Sequence, residues 1–200
     1  AHYTIIWGNA FMMLLYVCAS VSAFFVVFWC SQLIFFKLHL NWTKHIIQSD
    51  EEDEKVGVSV IHPIKDLDFE LEKNIESWFS QDYRGAVQHI FSFQTPDDPA
   101  IPVVKSLIEE NPSIDCSIIV NPIMPGLNGK SSNMVNGMKI AKYGIVLFGD
   151  SDIRIKKDFI VKMVRPLKNE NVGITTCGQI NIGGRDFWTR FFTFTQNSET

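Results

Sequence analysis

The sequence predicts an α/β domain with a mostly parallel sheet, preceded by one transmembrane helix. Two observations carry this prediction. From Ala1 to Phe36 the chain contains no Asp, Glu, Lys or Arg, and a helix that crosses a bilayer needs only about 20 apolar residues. After Lys55, short apolar runs alternate with amphipathic stretches at helical spacing, which is typical of parallel strands joined by helices.

The apolar segment Ile5–Phe36 is long enough to span a membrane. A cleaved signal peptide would have a basic start, a short apolar region and a small-residue cleavage site, whereas this segment is long and rich in Phe. A buried core helix is the other possibility. The sequence therefore favours a transmembrane anchor over residues 1–45.

The residues around this span indicate its orientation. Lys37 and Lys44 follow the span, and positive charge favours the cytosolic side, so the rest of the chain is expected in the cytosol. The four cysteines show no zinc or disulfide spacing, which agrees with that compartment. Residues 46–55 include five acids in a row and predict a solvated linker. The net charge of −4 gives no indication of nucleic-acid binding.

Residues 56–200 form the expected domain. Five strands are predicted, at Val56–Ile61, Val87–Phe93, Ile114–Val120, Ile145–Phe148 and Val172–Cys177. Four helices are predicted between them, at Phe69–Phe79, Pro99–Glu109, Ser131–Lys142 and from the capping residue Asp158 to Leu167.

Two carboxylates one residue apart, Asp150 and Asp152, directly follow the apolar strand Ile145–Phe148. The carboxyl ends of strands in an α/β sheet are where ligands bind. Oxygen ligands of this kind suit Mg²⁺ or Mn²⁺ that bridges a diphosphate. The pattern therefore indicates a nucleotide-sugar site, and a solvated turn is the alternative.

Three further loops carry polar groups that the parallel sheet should bring to the same edge. They are His62–Asp66 after the first strand, Thr95–Pro99 after the second and Gly126–Ser131 before a helix. Their convergence with Asp150 would form one crevice. The glycine segment lacks the spacing of a Walker motif, which counts against an ATPase.

Two residues of these loops have a chemical use. Asp98 can accept a hydrogen bond from a uracil or ribose donor; alternatively, Asp97 or Asp98 caps the following helix. Lys130 lies just before a predicted helix start, where a cation and free backbone N–H groups favour phosphate. A surface lysine is the alternative there.

These segments resemble the ceramide glucosyltransferase family of inverting, membrane-bound glycosyltransferases, whose bacterial relatives include hopanoid-type lipid glycosyltransferases. The resemblance covers roughly residues 20 to 180, and its segments follow one another in the family's order. They are Val58–Lys65, Gln81–Tyr83, Asp97–Ile101, Gly129–Met134, Ala141–Tyr143 and Asp150–Arg154.

The resemblance implies a GT-A type nucleotide-sugar-binding fold, a UDP-sugar as donor and a membrane lipid hydroxyl as acceptor. By position, Asp98 matches the family's first acidic motif near the nucleoside. Asp150 and Asp152 match the second, at the metal and diphosphate, and Lys130 matches the family lysine. The implied UDP-sugar-binding residues are thus Asp98, Lys130 and Asp150, and the implied metal ligands are Asp150 and Asp152, for Mg²⁺ or Mn²⁺.

The chain also departs from the family pattern. Gly129 precedes Lys130, and His62 replaces a lysine that is common before the proline. A third acidic motif with the general base, a Gln-x-x-Arg-Trp motif and further membrane segments are not found before Thr200. We therefore expect the general base beyond Thr200. The chain would then be the amino-terminal part of a longer protein, or a truncated copy.

Two other classes stay open. One is a different enzyme on the same fold, such as a polysaccharide synthase or a polyprenyl-phosphate sugar transferase, against which Asp97–Ala100 and Asn133 argue. The other is a membrane-anchored fragment that binds nucleotide without turnover. The aromatic run Phe187–Phe194 either lies in the membrane interface or covers the sheet.

Overall fold

The amino-terminal part of the chain is one long helix, α1, which spans His2–Ile47. The protein is described by a computed structural model that covers residues 2–47, 55–180, 186–189 and 193. Within α1, Leu15–Leu38 is long and apolar enough to cross a membrane. None of this window is buried in the protein, so nothing supports the core-helix alternative. The hydroxyls of Ser20 and Ser31 donate to carbonyls of the preceding turn, so α1 itself satisfies these polar groups.

The chain divides into two units, residues 1–48 and 49–200. The second unit is built on four parallel strands in the order β3-β2-β1-β4. The strands are β1 (Val58–Pro63), β2 (Val87–Phe93), β3 (Asp115–Val120) and β4 (Ile145–Phe148). The helices are α2 (Leu71–Phe79), α3 (Ala100–Glu110), α4 (Gly129–Met138) and α5 (Phe159–Val164), and a short 3₁₀ helix follows at Arg165–Lys168.

The core is densest around β1, whose six residues are all buried. One apolar cluster joins the sheet to α2 and α3 through Phe91, Phe93, Ile75 and Val104. A second cluster joins it to α5 and the indole of Trp78. The strand residues of both clusters lie two apart, Val58 and Val60 on β1 and Phe91 and Phe93 on β2, so both clusters use the same face of the sheet. The predicted α/β architecture with a mostly parallel sheet is confirmed.

The limits of β2 and β4 are those predicted, and α2, α3 and β3 begin within two residues of their predicted starts. In contrast, β1 begins and ends two residues late. The amide of Val58 donates to the carbonyl of Ala86, and pairing with β2 continues through His62 and Pro63. The prediction that His62 lies in the loop after the strand is therefore wrong.

His62 is instead part of a buried histidine pair. Its Nε2 lies 3.2 Å from Nδ1 of His89, and its ring stacks on Phe91 at a centroid distance of 4.9 Å. Burial, reinforced by the charge of His89, holds the pKa of His62 well below its usual value. Burial also lowers the pKa of His89 to about 4, against a smaller opposite effect of Asp115. Both rings are therefore neutral at pH 7.

The region after β4 differs most from expectation. The sequence predicts Val172–Cys177 as a fifth strand, but no strand pairs with it among the described residues, and its Thr175 hydroxyl donates to the Met163 carbonyl at the end of α5. Asp158 is the N-cap residue of α5, as predicted, but its side chain makes no capping hydrogen bond and pairs with Lys162 at 2.5 Å. The strand prediction is wrong because the local sequence does not reveal the contact of Thr175 with α5.

Helix α4 begins two residues earlier and ends four residues earlier than predicted. Its start is fixed by a capping box, in which Asn128 Oδ1 accepts from the Ser131 amide at 2.9 Å. Its end follows from Ser59 and Gln88, whose side chains accept the amide of Lys142 at 3.1 and 2.8 Å. Because these two buried side chains bind the Lys142 amide, the backbone at Lys142 is not helical, and α4 ends before it.

The acidic linker lies mostly outside the described residues, as do residues 190–192 and 194 of the aromatic run. Within the run, Phe187 and Trp188 are exposed and form a T-shaped pair. The choice between a membrane interface and a cover for the sheet thus falls largely on residues outside the described ones.

Candidate active site

The carboxyl edge of the sheet carries two adjoining clefts. Lys65 comes from the loop after β1, Gln94 and Asp98 from the loop after β2, Lys130 from the start of α4, and Asp150 from the end of β4. The larger cleft has a volume of about 250 Å³ and the smaller about 130 Å³. Lys65 and Gln94 line both. The structure therefore brings together residues from all the loops in which a site was predicted.

The start of α4 forms one wall of the larger cleft. The first amide groups of a helix have no partner inside it and favour an anion. A Cβ at Gly129 would lie 2.7 Å from Gln94 Oε1, so the absence of a side chain at this position allows Gln94 to approach. The helix terminus and the β2 loop are thereby held side by side at the cleft.

Lys130 and Asp150 face each other across this cleft. Lys130 Nζ lies 2.6 Å from Asp150 Oδ1, and both side chains are partly exposed. An exposed ion pair of this kind contributes only about 0–1 kcal/mol. The pair is therefore easily exchanged for other charged partners that enter the cleft.

The second carboxylate of the Asp-x-Asp segment is placed differently. Asp152 is exposed and lines the larger cleft, and none of the described residues pairs with its side chain. Ser151 lies between the two acids, and its hydroxyl donates a short hydrogen bond to Asp68 Oδ2, which fixes its side chain. Asp68 lines the same cleft.

The donor set at this edge fits a divalent cation that also binds a diphosphate. Among the described residues there is no cluster of three or more His, Cys, Asp or Glu arranged to hold a metal. Mg²⁺ is commonly held by one or two carboxylates together with substrate phosphates and water. Asp150 and Asp152 supply that number of carboxylates, so the site suits a metal that arrives with its anionic ligand.

Asp98 is only 8% exposed and lines the smaller cleft. Its Oδ1 accepts from the Ala100 amide at 3.0 Å, and its Oδ2 accepts from the Asp66 amide at 3.1 Å. Asp66 has a positive φ of 64°, a conformation that costs energy in a residue other than Gly. Asp98 thus contacts the start of α3, as the capping alternative predicted, and also fixes the loop after β1.

Replacing Asp98 is expected to destabilise the domain whatever it binds. In Asp98→Ala, the buried amide of Ala100 and the part-buried amide of Asp66 lose their acceptor, and the free energy of unfolding should fall by about 2 kcal/mol. Chemical denaturation of the chain in detergent measures this loss. Asp97→Ala is the matched control: Asp97 is exposed, so a change beyond about 0.5 kcal/mol is not expected. Equal effects of the two variants would contradict the anchoring role of Asp98.

Sequence reasoning did not single out Gln94 or Asp68 as site residues. Gln94 follows β2 directly, and its position at the carboxyl edge was a signal that could have identified it. Asp68 had no comparable signal, because its contact with Ser151 spans 83 residues of sequence. Only the folded loop after β1 reveals it.

Residues 17–197 match the model of a family described as Glycosyl transferase family 21. The chain belongs to glycosyl transferase family 21. The predicted resemblance to ceramide glucosyltransferases is confirmed, because curated ceramide glucosyltransferases are among the proteins to which this chain is similar.

Two curated relatives illustrate the similarity. Ceramide glucosyltransferase 1 of Caenorhabditis elegans is 33% identical over 156 residues, which are 78% of this chain and 30% of that protein. The ceramide glucosyltransferase of Candida albicans is 32% identical over 139 residues, which are 64% of this chain and 25% of that one. The chain thus spans about a third or less of the length of these relatives.

A solved structure shares the fold. A mannosyltransferase from Pyrobaculum calidifontis in complex with GDP-Man and Mn²⁺ superposes with a TM-score of 0.50 and 21% identity, covering 68% of this chain and 41% of that one. This likeness confirms the GT-A type domain. Together with α1, the family membership indicates that the protein associates with membranes.

Proposed function

We propose that the chain carries the donor-binding part of a glycosyltransferase that moves a hexose from a UDP-sugar to a membrane lipid hydroxyl, as in ceramide glucosyltransferases. The observation that carries the proposal is the pairing of Lys130 with Asp150 at 2.6 Å, beside the amino terminus of α4. This arrangement places a cation, the amino terminus of a helix and a carboxylate pair around one cleft. Those groups are the ones that a nucleoside diphosphate and its metal require.

Without a donor, Lys130 and Asp150 neutralise each other. With the donor bound, Lys130 would pair with the diphosphate, and Asp150 would be available to hold the cation. Because the exposed pair is weak, this exchange costs little. Asp98 is assigned to the nucleoside, in the smaller cleft that shares Lys65 and Gln94 with the larger one.

Asp150 and Asp152 would hold Mg²⁺ or Mn²⁺. Bound there, the cation neutralises charge on the leaving diphosphate. The carboxylate chemistry of the pair supports this proposal. The Pyrobaculum calidifontis mannosyltransferase was solved with Mn²⁺, which is a reason to use Mn²⁺ first in the experiments below.

The lipid acceptor is supported by the surface beside the clefts. Leu67, Phe69 and Leu127 are 56%, 75% and 103% exposed, and their loops also carry the cleft residues Lys65 and Gly129. Contiguous apolar surface commonly marks a binding site, and we propose that these three side chains contribute to one. A lipid chain is a suitable ligand for such a surface.

The chemistry that we propose is direct displacement. A base deprotonates the lipid hydroxyl, which attacks the anomeric carbon while the diphosphate leaves with inversion. Lys130 and the α4 amides stabilise the leaving group, and no base is assigned among the described residues. We further propose that the domain faces the cytosol, on the basis of Lys37 and Lys44 after the span.

Metal-dependent nucleotide binding tests this proposal. Calorimetry on the chain in detergent should show UDP binding that strengthens at least about tenfold on adding Mn²⁺, and Asp152→Asn should remove this enhancement because a ligand carboxylate is lost. UDP affinity that is equal with and without Mn²⁺ would count decisively against the proposal.

Asp158→Asn provides the matched control. Asp158 is an equally exposed carboxylate, but it is paired with Lys162 on α5 and does not line either cleft. The Mn²⁺ enhancement should be the same as in the unmodified chain. If Asp158→Asn also removed it, the effect would reflect general charge and not a site at Asp152.

A further inference from the structure

Ser151, between the two carboxylates, is held by a buried amide that does not line the cleft. The side-chain Nδ2 of Asn74 donates to the Ser151 carbonyl at 3.0 Å and to the Phe69 carbonyl at 3.1 Å. Asn74 lies on α2 and is only 4% exposed. One side chain thus joins the Asp-x-Asp segment to the loop that precedes α2.

The other end of this amide is also occupied. Asn74 Oδ1 accepts from Arg154 Nη2 at 3.2 Å, and the same nitrogen lies 2.7 Å from Glu70 Oε2. Arg154 follows the Asp-x-Asp segment, and Glu70 precedes α2 with a positive φ of 54°. The hydrogen bonds of Asn74 are therefore oriented and complete, so the amide has one defined position.

The Ser151 carbonyl belongs to the peptide bond that leads into Asp152. Because this unit is planar, fixing the carbonyl direction also fixes the position of the Asp152 Cα. The carboxylate of Asp152 has no partner of its own among the described side chains. The backbone therefore sets where the Asp152 side chain starts and the direction of its Cα–Cβ bond, and Asn74 holds that backbone.

We propose that Asn74 is a positioning residue for Asp152, which rests on the proposed function of the cleft. It keeps the second carboxylate aimed at the place where the cation meets the diphosphate. Residues behind a metal ligand that orient it typically change metal affinity by about 10–100-fold when removed. Asn74 has the burial and the hydrogen-bond geometry of such a residue.

The experiment measures Mn²⁺ affinity in the presence of saturating UDP, from the free Mn²⁺ signal in electron paramagnetic resonance. The full 200-residue chain is used in detergent. In Asn74→Ala, the Mn²⁺ dissociation constant should rise about tenfold. UDP affinity without metal, measured by calorimetry, should stay unchanged, because Asn74 does not line either cleft.

Gln88→Ala is the control for a loss of stability alone. Gln88 is 1% exposed, donates to the Ile140 carbonyl at 3.1 Å and accepts from the Lys142 amide at 2.8 Å. Gln88→Ala therefore removes a buried amide that bridges two segments, as Asn74→Ala does, but at the amino-terminal end of β2. Gln88→Ala should keep the Mn²⁺ affinity of the unmodified chain. Equal Mn²⁺ affinities in the two variants would overturn the positioning role.

Arg154→Ala covers the case in which Asn74→Ala does not fold. The Arg154 side chain is 38% exposed, so its removal deprives Asn74 Oδ1 of its donor without leaving a cavity in the core. Mn²⁺ affinity should again fall severalfold. An unchanged Mn²⁺ affinity would contradict the proposal. Absence of Mn²⁺-dependent UDP binding in the unmodified chain would instead overturn the proposed function, and with it the role of Asn74.

Discussion

Lowering the pH from 7 to 5 is expected to destabilise the domain by about 2 kcal/mol through His89 alone. Unfolded, this imidazole takes up a proton near its ordinary pKa of about 6.5, whereas burial lowers the pKa of folded His89 to about 4. The unfolded chain therefore binds more protons in this window. The stabilisation is complete above pH 6.5 or so and is lost as the pH falls towards 4. His62, with its pKa also lowered, adds a loss of the same sign.

Amide hydrogen exchange in β2, corrected for the intrinsic pH dependence of exchange, gives the free energy of opening at each pH. His89→Gln provides the comparison, because it keeps a polar partner beside His62 but removes one titrating ring. Its loss of stability between pH 7 and 5 should be smaller. If His89→Gln and the unmodified chain lost the same amount, the buried pair would not be the cause.

Gly137→Val is expected to cost about 3 kcal/mol of unfolding free energy. A Cβ at Gly137 would lie 2.6 Å from Ile61 Cγ2, and Ile61 is fully buried in the central strand β1. The side chain of Ile61 is branched at Cβ and stiff, so it cannot turn away. Helix α4 would have to move off the sheet, and Lys130 would move with it.

Thermal and urea unfolding of the same chain measure this loss. Gly144→Val is the control, because nothing lies within 4 Å of a Cβ at Gly144, and its cost should stay within about 0.5 kcal/mol. The double variant Ile61→Ala with Gly137→Val should be more stable than the sum of the two single losses predicts, since each change makes room for the other. Additive losses would show that the two residues do not share this space.

The strands that could be predicted accurately are those whose sequence alone determines their environment. Apolar residues make up most of strands β2 and β4, and the predicted limits of both are correct. The errors lie where a distant partner decides. Val172–Cys177 has the composition of a strand, but no strand pairs with it among the described residues. The end of α4 depends on Ser59, more than 80 residues away.

The candidate site divides in the same way. Asp98, Lys130 and Asp150 could be placed at one edge because parallel strands all end there. That Lys130 binds Asp150 directly required coordinates, since spacing along the chain does not fix side-chain directions. The role of Asn74 could not be predicted for another reason. In the sequence it is an ordinary polar residue of a helix, and only the hydrogen bond of its buried amide to Ser151 distinguishes it.

The Lys130–Asp150 pair also has a consequence for the order in which ligands bind. Under the proposed function, a cation that arrives alone must displace Lys130 from Asp150, and a diphosphate that arrives alone must draw Lys130 from its carboxylate partner. Whichever ligand binds first breaks the ion pair, so the second ligand binds without that cost. By thermodynamic reciprocity, the factor by which Mn²⁺ tightens the nucleotide equals the factor by which the nucleotide tightens Mn²⁺. Because the exposed pair contributes at most about 1 kcal/mol, this shared cost adds a severalfold factor to the coupling, and Lys130 takes the place of the cation beside Asp150 when neither ligand is bound.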